Sequence, residues 1–262
     1  MEWLGDPTRL IPVWLLGMVR LMVAFSVIPT LGGQVLPGTL RNAVTASLSL
    51  VLLPLHLAAL PSPFPPWWSL AGLALKEAVV GLVLGYLAAV WFWALESAGF
   101  FIDNQRGATM ASSIDPMTGS QTSLLAVLLM QAFAAFFFLG GGFLVLLEAL
   151  YHSFRLWPVF DFYPRLEVGA FGELLMAQLN QMMATAVLVA APVLLAMFLA
   201  EFALALVSRS APQLNVFFLA MPVKSALANL LLVLYLGFVL NYFDSQLARI
   251  GEIFLRLDRS WR

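Results

Sequence analysis

Six stretches of the chain are almost continuously apolar: Leu10 to Leu31, Ala43 to Leu60, Trp67 to Leu95, Leu124 to Leu150, Leu174 to Val207 and Val223 to Phe243. A helix needs roughly 20 such residues to cross about 30 Å of hydrocarbon. The pattern therefore predicts an all-α integral membrane protein of about six hydrophobic segments arranged as helical hairpins. Outer-membrane strands would instead show short alternating segments. Two stretches are too long for a plain crossing, because at about 1.5 Å per residue Trp67 to Leu95 and Leu174 to Val207 measure roughly 43 and 50 Å. They must tilt, break or leave the bilayer. Pro192 supplies a break in the longer one by removing a backbone donor, and the run Gly140, Gly141, Gly142 either packs closely or marks a hinge, with packing favoured.

Between these stretches, polar residues mark the organisation. Pro61-Ser62-Pro63-Phe64-Pro65-Pro66 is too rich in proline for a helix and predicts a stiff extended link. Asp103 to Ser123 is the one long polar segment, with glycine, proline and hydroxyl residues that favour turns, and long loops without secondary structure are commonly functional. We read residues 1–262 as a single membrane domain. It comprises N-terminal helices over 1–60, a helical hairpin over 67–150 carrying the loop 103–123, a second hairpin over 174–243 and an amphipathic tail over 244–262. In the tail, Leu247, Ile250, Ile253, Phe254 and Leu257 fall at helical spacing with arginines between them, a face suited to a membrane surface or to a partner. No period of 20 to 50 residues is present, which excludes a solenoid.

Composition narrows the class. With 62% hydrophobic and 10% charged residues over 262 positions, the chain departs from the ~25% charge of soluble domains. A net charge of −1 provides no basic face for nucleic acid. No cysteine is present and only two histidines, His56 and His152, so thiolate and histidine-rich metal sites are excluded and no cofactor is implied. The first residues are acidic and lack a small-residue cleavage site, so the first apolar run is expected to remain in the protein. Under a six-span arrangement Arg9, Arg155, Arg165, Arg249, Arg256, Arg259 and Arg262 share a side opposite Arg41, Arg106, Arg209 and Lys224, which favours cytoplasmic termini.

Charges inside apolar stretches are candidates for mechanism, since each costs about 2.5 to 3.5 kcal/mol at the centre of a spanning helix unless partnered. Lys76 and Glu77 are such a pair. Glu77, Gly81, Gly85 and Ala89 repeat every four residues as a small-residue stripe that admits another helix. The two readings are a packing face with a structural ion pair, and a proton or ion relay. Glu201 and Glu148 carry the same alternatives. The relay reading supports a proton-coupled small-solute permease as the competing function. Protease, hydrolase and phosphate-loop signatures are absent, so no catalytic residues are assigned. An intramembrane aspartyl enzyme would need Asp103 and Asp115, whose turn-rich setting suits capping or turn roles instead.

Two motifs carry a resemblance. Glu96-Ser97-Ala98-Gly99-Phe100-Phe101-Ile102-Asp103-Asn104-Gln105-Arg106-Gly107-Ala108-Thr109-Met110-Ala111-Ser112-Ser113-Ile114-Asp115-Pro116, followed by Met117 to Ser123, resembles the loop after the third hydrophobic segment of the FliR/SctT family of type III secretion export-gate proteins. Ala211-Pro212-Gln213-Leu214-Asn215-Val216-Phe217, continuing to Pro222-Val223-Lys224, resembles that family's other signature, in which Pro212, Gln213, Asn215, Pro222 and Lys224 are the matching positions. Phe100 and Asp103 to Arg106 depart from the flagellar pattern and resemble the injectisome (SctT) branch. Ala220 stands where flagellar relatives often carry glycine.

The resemblance implies a non-enzymatic subunit of a gated channel in the bacterial inner membrane, with helices raised towards the periplasm. It implies assembly with P-type (SctR) and Q-type (SctS) membrane proteins and contacts with the U-type switch protein (SctU) and the large V-type export protein (SctV). Unfolded proteins pass through the centre, and energy comes from elsewhere. It further implies that Gly107, Ala108, Thr109, Met110, Ala111, Ser112, Ser113, Ile114, Asp115 and Pro116 form a plug. Those residue types suit the role: Gly107 permits unusual backbone angles and Pro116 stops its neighbour from continuing a helix. Met110 and Ile114 offer deformable apolar contact. Irregular backbone at membrane depth is tolerated only against protein or a water-filled cavity.

Overall fold

A computed structural model describes residues 7–32, 35–108, 123–162, 168–211 and 215–260. Among these every regular element is a helix: α1 Pro7–Val27, α2 Gly38–Ala58, α3 Trp67–Arg106, α4 Leu124–Leu139, α5 Gly142–Leu156, α6 Val168–Ser210 and α7 Val216–Ser260. The fold is all-α, in agreement with the apolar pattern. Among the described residues five helices are long and apolar enough to cross a membrane, and a sixth span results if α4 and α5, bent by 71° from each other, count as one.

Local chemistry sets the boundaries. Pro37 precedes α2, and Pro65-Pro66 precede α3, where Pro66 accepts the first amide bonds from Ser69 and Leu70. In α2 the hydroxyls of Thr45, Ser47 and Ser49 donate to carbonyls three or four residues back, which satisfies them without a partner helix. Three expectations are corrected. Pro192 lies inside an uninterrupted α6, not at a break; one missing amide bond is tolerated where some 40 others hold the helix. The glycine run is a hinge instead of a packing site: Gly141 adopts φ +79° with open space around it, so the chain turns there. The polar segment begins later than its composition suggests, because α3 continues through Asp103 to Arg106.

The chain divides into two compact units. One contains Met1–Val90, Gly141–Gln178 and Ala248–Arg262. Within it, α1 meets α2 through Trp14, whose indole N–H donates to Ala46, and α5 meets α2 through the Tyr151 hydroxyl donating to Leu48. His56 packs its ring on Phe154 with centroids 4.9 Å apart. The other unit contains Trp91–Gly140 and Leu179–Leu247. Its core is aromatic: Phe92 contacts Phe133 and Phe137 at centroid distances of 4.7 and 5.3 Å, and Phe133 contacts Phe243 at 5.0 Å. Edge-on contacts of this kind add to the area that large rings bury.

Candidate functional site

Two polar constructions stand out, one in each unit. In the second unit, the ends of the connection between α3 and α4 are tied together. Asp103, one turn from the end of α3 and 1% exposed, accepts hydrogen bonds on Oδ2 from the Ser123 hydroxyl (2.6 Å) and from the Leu125 amide (3.1 Å). Its Oδ1 lies 2.7 Å from Nε of Arg106. Ser123 is also the N-cap of α4, accepting from the Ala126 amide at 3.0 Å. The first turn of α4 is thus capped by its own serine and by a carboxylate 22 residues upstream, which favours the positive end of the helix. Asp103 therefore has the capping role, but on a helix and not in a turn. Close by, a Cβ on Gly99 would run into the backbone of Leu125 and Ala126, so α3 and α4 touch backbone to backbone.

Gly107 ends α3 with φ +81°, its amide donating to Asn104 at 3.1 Å and the Met221 side chain beside it. This is the left-handed cap for which glycine carries no steric penalty. Ala108 follows, half-buried. Thr109, Met110, Ala111, Ser112, Ser113, Ile114, Asp115 and Pro116 lie outside the described residues.

In the first unit, Glu77 is fully buried and so is Arg20 of α1. Arg20 meets Glu77 in a two-pronged pair, Nε to Oε2 at 2.6 Å and Nη2 to Oε1 at 2.9 Å. Arg20 also donates to the Ser153 hydroxyl and the Trp157 carbonyl, each at 2.9 Å, and its guanidinium sits 3.9 Å from the centre of the Phe154 ring. Lys76 lies 2.5 Å from Glu77 Oε1 and donates to the carbonyls of Pro158, Val159 and Asp161 at 2.9, 2.9 and 3.3 Å. One carboxylate is therefore shared by two cations, and the surplus cation is held by the carbonyls at the end of α5. Below the cluster, Gly81 faces the Arg20 backbone and Gly85 the Ala24 backbone, where a Cβ on Gly85 would stand 2.8 Å from the Ala24 oxygen.

Residues chosen for different reasons in the sequence also meet. Lys224 Nζ lies 3.0 Å from Glu201 Oε2, joining α7 to α6, with the Glu201 side chain 45% exposed. Glu148 is exposed on α5. Asn215 accepts from the Leu219 amide at the start of α7, and Pro222 is exposed inside that helix. Pro212 and Gln213 lie outside the described residues.

Residues 11–250 match the model of the bacterial export proteins, family 1. The chain belongs to this family. Among curated proteins it is 49% identical over 217 residues to the Yop proteins translocation protein T of Yersinia pestis, covering 82% of both chains. It is 38% identical over 228 residues to the surface presentation of antigens protein SpaR of Salmonella typhimurium, covering 86% of this chain and 83% of the relative. The flagellar biosynthetic protein FliR of Bacillus subtilis is 31% identical over 230 residues, covering 88% of each. The identity is higher to the translocation and antigen-presentation proteins than to the flagellar one, which agrees with the injectisome branch that the sequence resembles.

In this export protein the sequence reading missed the partners that complete both constructions. Arg20 carried the plainest signal, a lone cation midway along the first apolar stretch that itself needed a buried acidic partner. Ser123 could be recognised as a cap from its place before Leu124. Ser153 and the Trp157 carbonyl had no signal, because their approach to Arg20 is set by the packing of α5 and its end on α1 and not by any residue pattern.

Proposed function

We propose that this chain is a non-enzymatic core subunit of the export gate of a type III secretion system in the bacterial inner membrane. It assembles with SctR-type and SctS-type membrane proteins, contacts SctU-type and SctV-type proteins, and helps to enclose a path for unfolded protein substrates. The 49% identity to a translocation protein over 82% of both chains carries the reading. The polar segment that begins at Gly107 is the plug of the closed channel. Its placement between the apolar helices α3 and α4 and the tying of its two ends support that role, since a stopper must stay attached while it yields.

The charges in the apolar helices are structural in this reading. A proton-coupled permease needs a carboxylate free to exchange its proton, whereas Glu77 is shared between Arg20 and Lys76 without exposure. The deciding experiment deletes Gly107 to Pro116 and measures ion conductance of the reconstituted, fully assembled gate. Raised resting conductance is expected, and conductance equal to that of the intact gate refutes the plug. Substrate uptake by vesicles containing this chain alone would favour the permease.

A further inference from the structure

We propose that one end of the first unit, built from the starts of α1 and α3 and the segment after α5, is an anchor seated in the lipid headgroup layer, with acyl chains against the face of α3 below it. Gly81 of α3 meets the Arg20 backbone and Gly85 that of Ala24, so α1 and α3 run side by side in the same direction. The same number of residues separates Pro7 from Arg20 as Trp68 from Gly81, which brings both helix starts to one level. The chain after α5 runs the other way, from the Trp157 carbonyl on Arg20 to Phe162, whose ring lies 3.0 Å from where a Cβ on Gly72 would stand. Thr8, Arg9, Trp67, Trp68 and Phe162 are therefore grouped at this end, and all are exposed, Trp67 at 76% and Trp68 at 63%.

Two observations favour lipid over a protein partner. Successive residues of a helix point about 100° apart, yet both indoles are open. One docked helix would cover a single direction, whereas a headgroup layer surrounds both, and an indole, with an apolar body and a polar N–H, suits that layer. Below them Ala71, Leu75, Val79 and Leu82 continue one exposed stripe at helical spacing. The stripe carries no polar group or close-packing glycine of the kind that specifies a partner helix in a membrane. The distances agree: from Trp68 to Glu77 the helix rises about 14 Å at about 1.5 Å per residue, half of the roughly 30 Å hydrocarbon layer. Glu77 then stands at the depth where an ion is most costly, which its pairing with Arg20 and Lys76 offsets.

The chain has no cysteine, so single labels can report depth. In the full chain reconstituted with its co-purifying membrane partners, a fluorophore on Ala71→Cys is expected to lose more emission to lipids with a nitroxide near the headgroup. A fluorophore on Val79→Cys is expected to lose more to lipids with the nitroxide near the end of the acyl chain. Adding Trp67→Leu with Trp68→Leu should move the Val79→Cys label towards the shallower nitroxide while the partners still co-purify, and Trp67→Tyr with Trp68→Tyr should keep it deep. Quenching of neither label by either lipid would show that protein or water covers the stripe and would overturn the proposal. So would the reverse order of depths, or a Val79→Cys label left unmoved by the leucine pair. These readouts concern only the seating of the first unit and are distinct from the conductance that tests the plug.

Discussion

At the scale of single residues, the decisive feature is how one carboxylate is shared by two cations away from water, with backbone carbonyls holding the surplus charge. A buried ion pair offers little net stability compared with well-packed apolar groups, yet removing one member leaves an uncompensated charge at a cost of about 3–5 kcal/mol. Glu77→Leu should therefore lower the thermal unfolding midpoint of the purified protein strongly, because Arg20 and Lys76 stay behind. The double variant Arg20→Met with Glu77→Leu should be more stable than Glu77→Leu alone, and adding Arg20→Met alone completes the cycle that measures the coupling. Equal destabilisation in both would show that Arg20 draws its support from Ser153 and Trp157 instead. The sequence announced that Lys76 and Glu77 needed partners, since charge in an apolar stretch must be matched. Arg20 was equally visible there, whereas backbone acceptors such as the Pro158 carbonyl are silent in any sequence.

At the scale of helices, small residues decide how closely elements approach. Gly81→Leu should force α1 away from α3, an overpacking that costs about 1–3 kcal/mol or more, read as faster proteolysis and loss of partner co-purification. Gly237, in the interior of α7 with open space around it, provides the opposite case. Gly237→Ala should stabilise the helix by about 0.5–1 kcal/mol through propensity alone, and an unchanged unfolding midpoint would contradict that. Gly141→Ala should destabilise by about 1–2 kcal/mol because it forces a side chain into the left-handed region. The apolar stretches and their number were legible, because hydrophobic length is itself the physical requirement for spanning. Helix ends were less so: Asp103 to Arg106 look like loop residues by composition, yet they continue α3 because Asp103 gains a partner on α4. Pro192 and Gly141 exchanged roles for a similar reason. A single proline removes one bond from a long helix, while a glycine with positive φ redirects the chain.

At the scale of the whole molecule, α3, α6 and α7 contain 40, 43 and 45 residues, roughly 60 to 68 Å at about 1.5 Å per residue, twice the thickness of the hydrocarbon layer. Much of each helix therefore needs an apolar environment other than a flat bilayer, or water at its ends. Leu195, Phe198, Leu199 and Phe202 on α6, and Leu230, Val233, Leu234 and Phe238 on α7, are more than half exposed, a surface suited to lipid and to membrane partners. The distribution of lysine and arginine leads to a topological prediction: single cysteines placed at Arg41 and at Arg155 should react with an impermeant thiol reagent from opposite faces of the membrane, Arg155 from the cytoplasm. Reaction from the same face would remove the six-span arrangement.

The Arg20–Glu77 pair also bears on how the chain is expected to enter the membrane. Ribosomes deliver Arg20 to the membrane 57 residues before its acidic partner exists, and an unmatched arginine at the middle of a spanning helix costs about 2.5–3.5 kcal/mol. Insertion of α1 alone should therefore be less complete than insertion of α1 to α3 together, and equal insertion of chains truncated before and after Glu77 would contradict this.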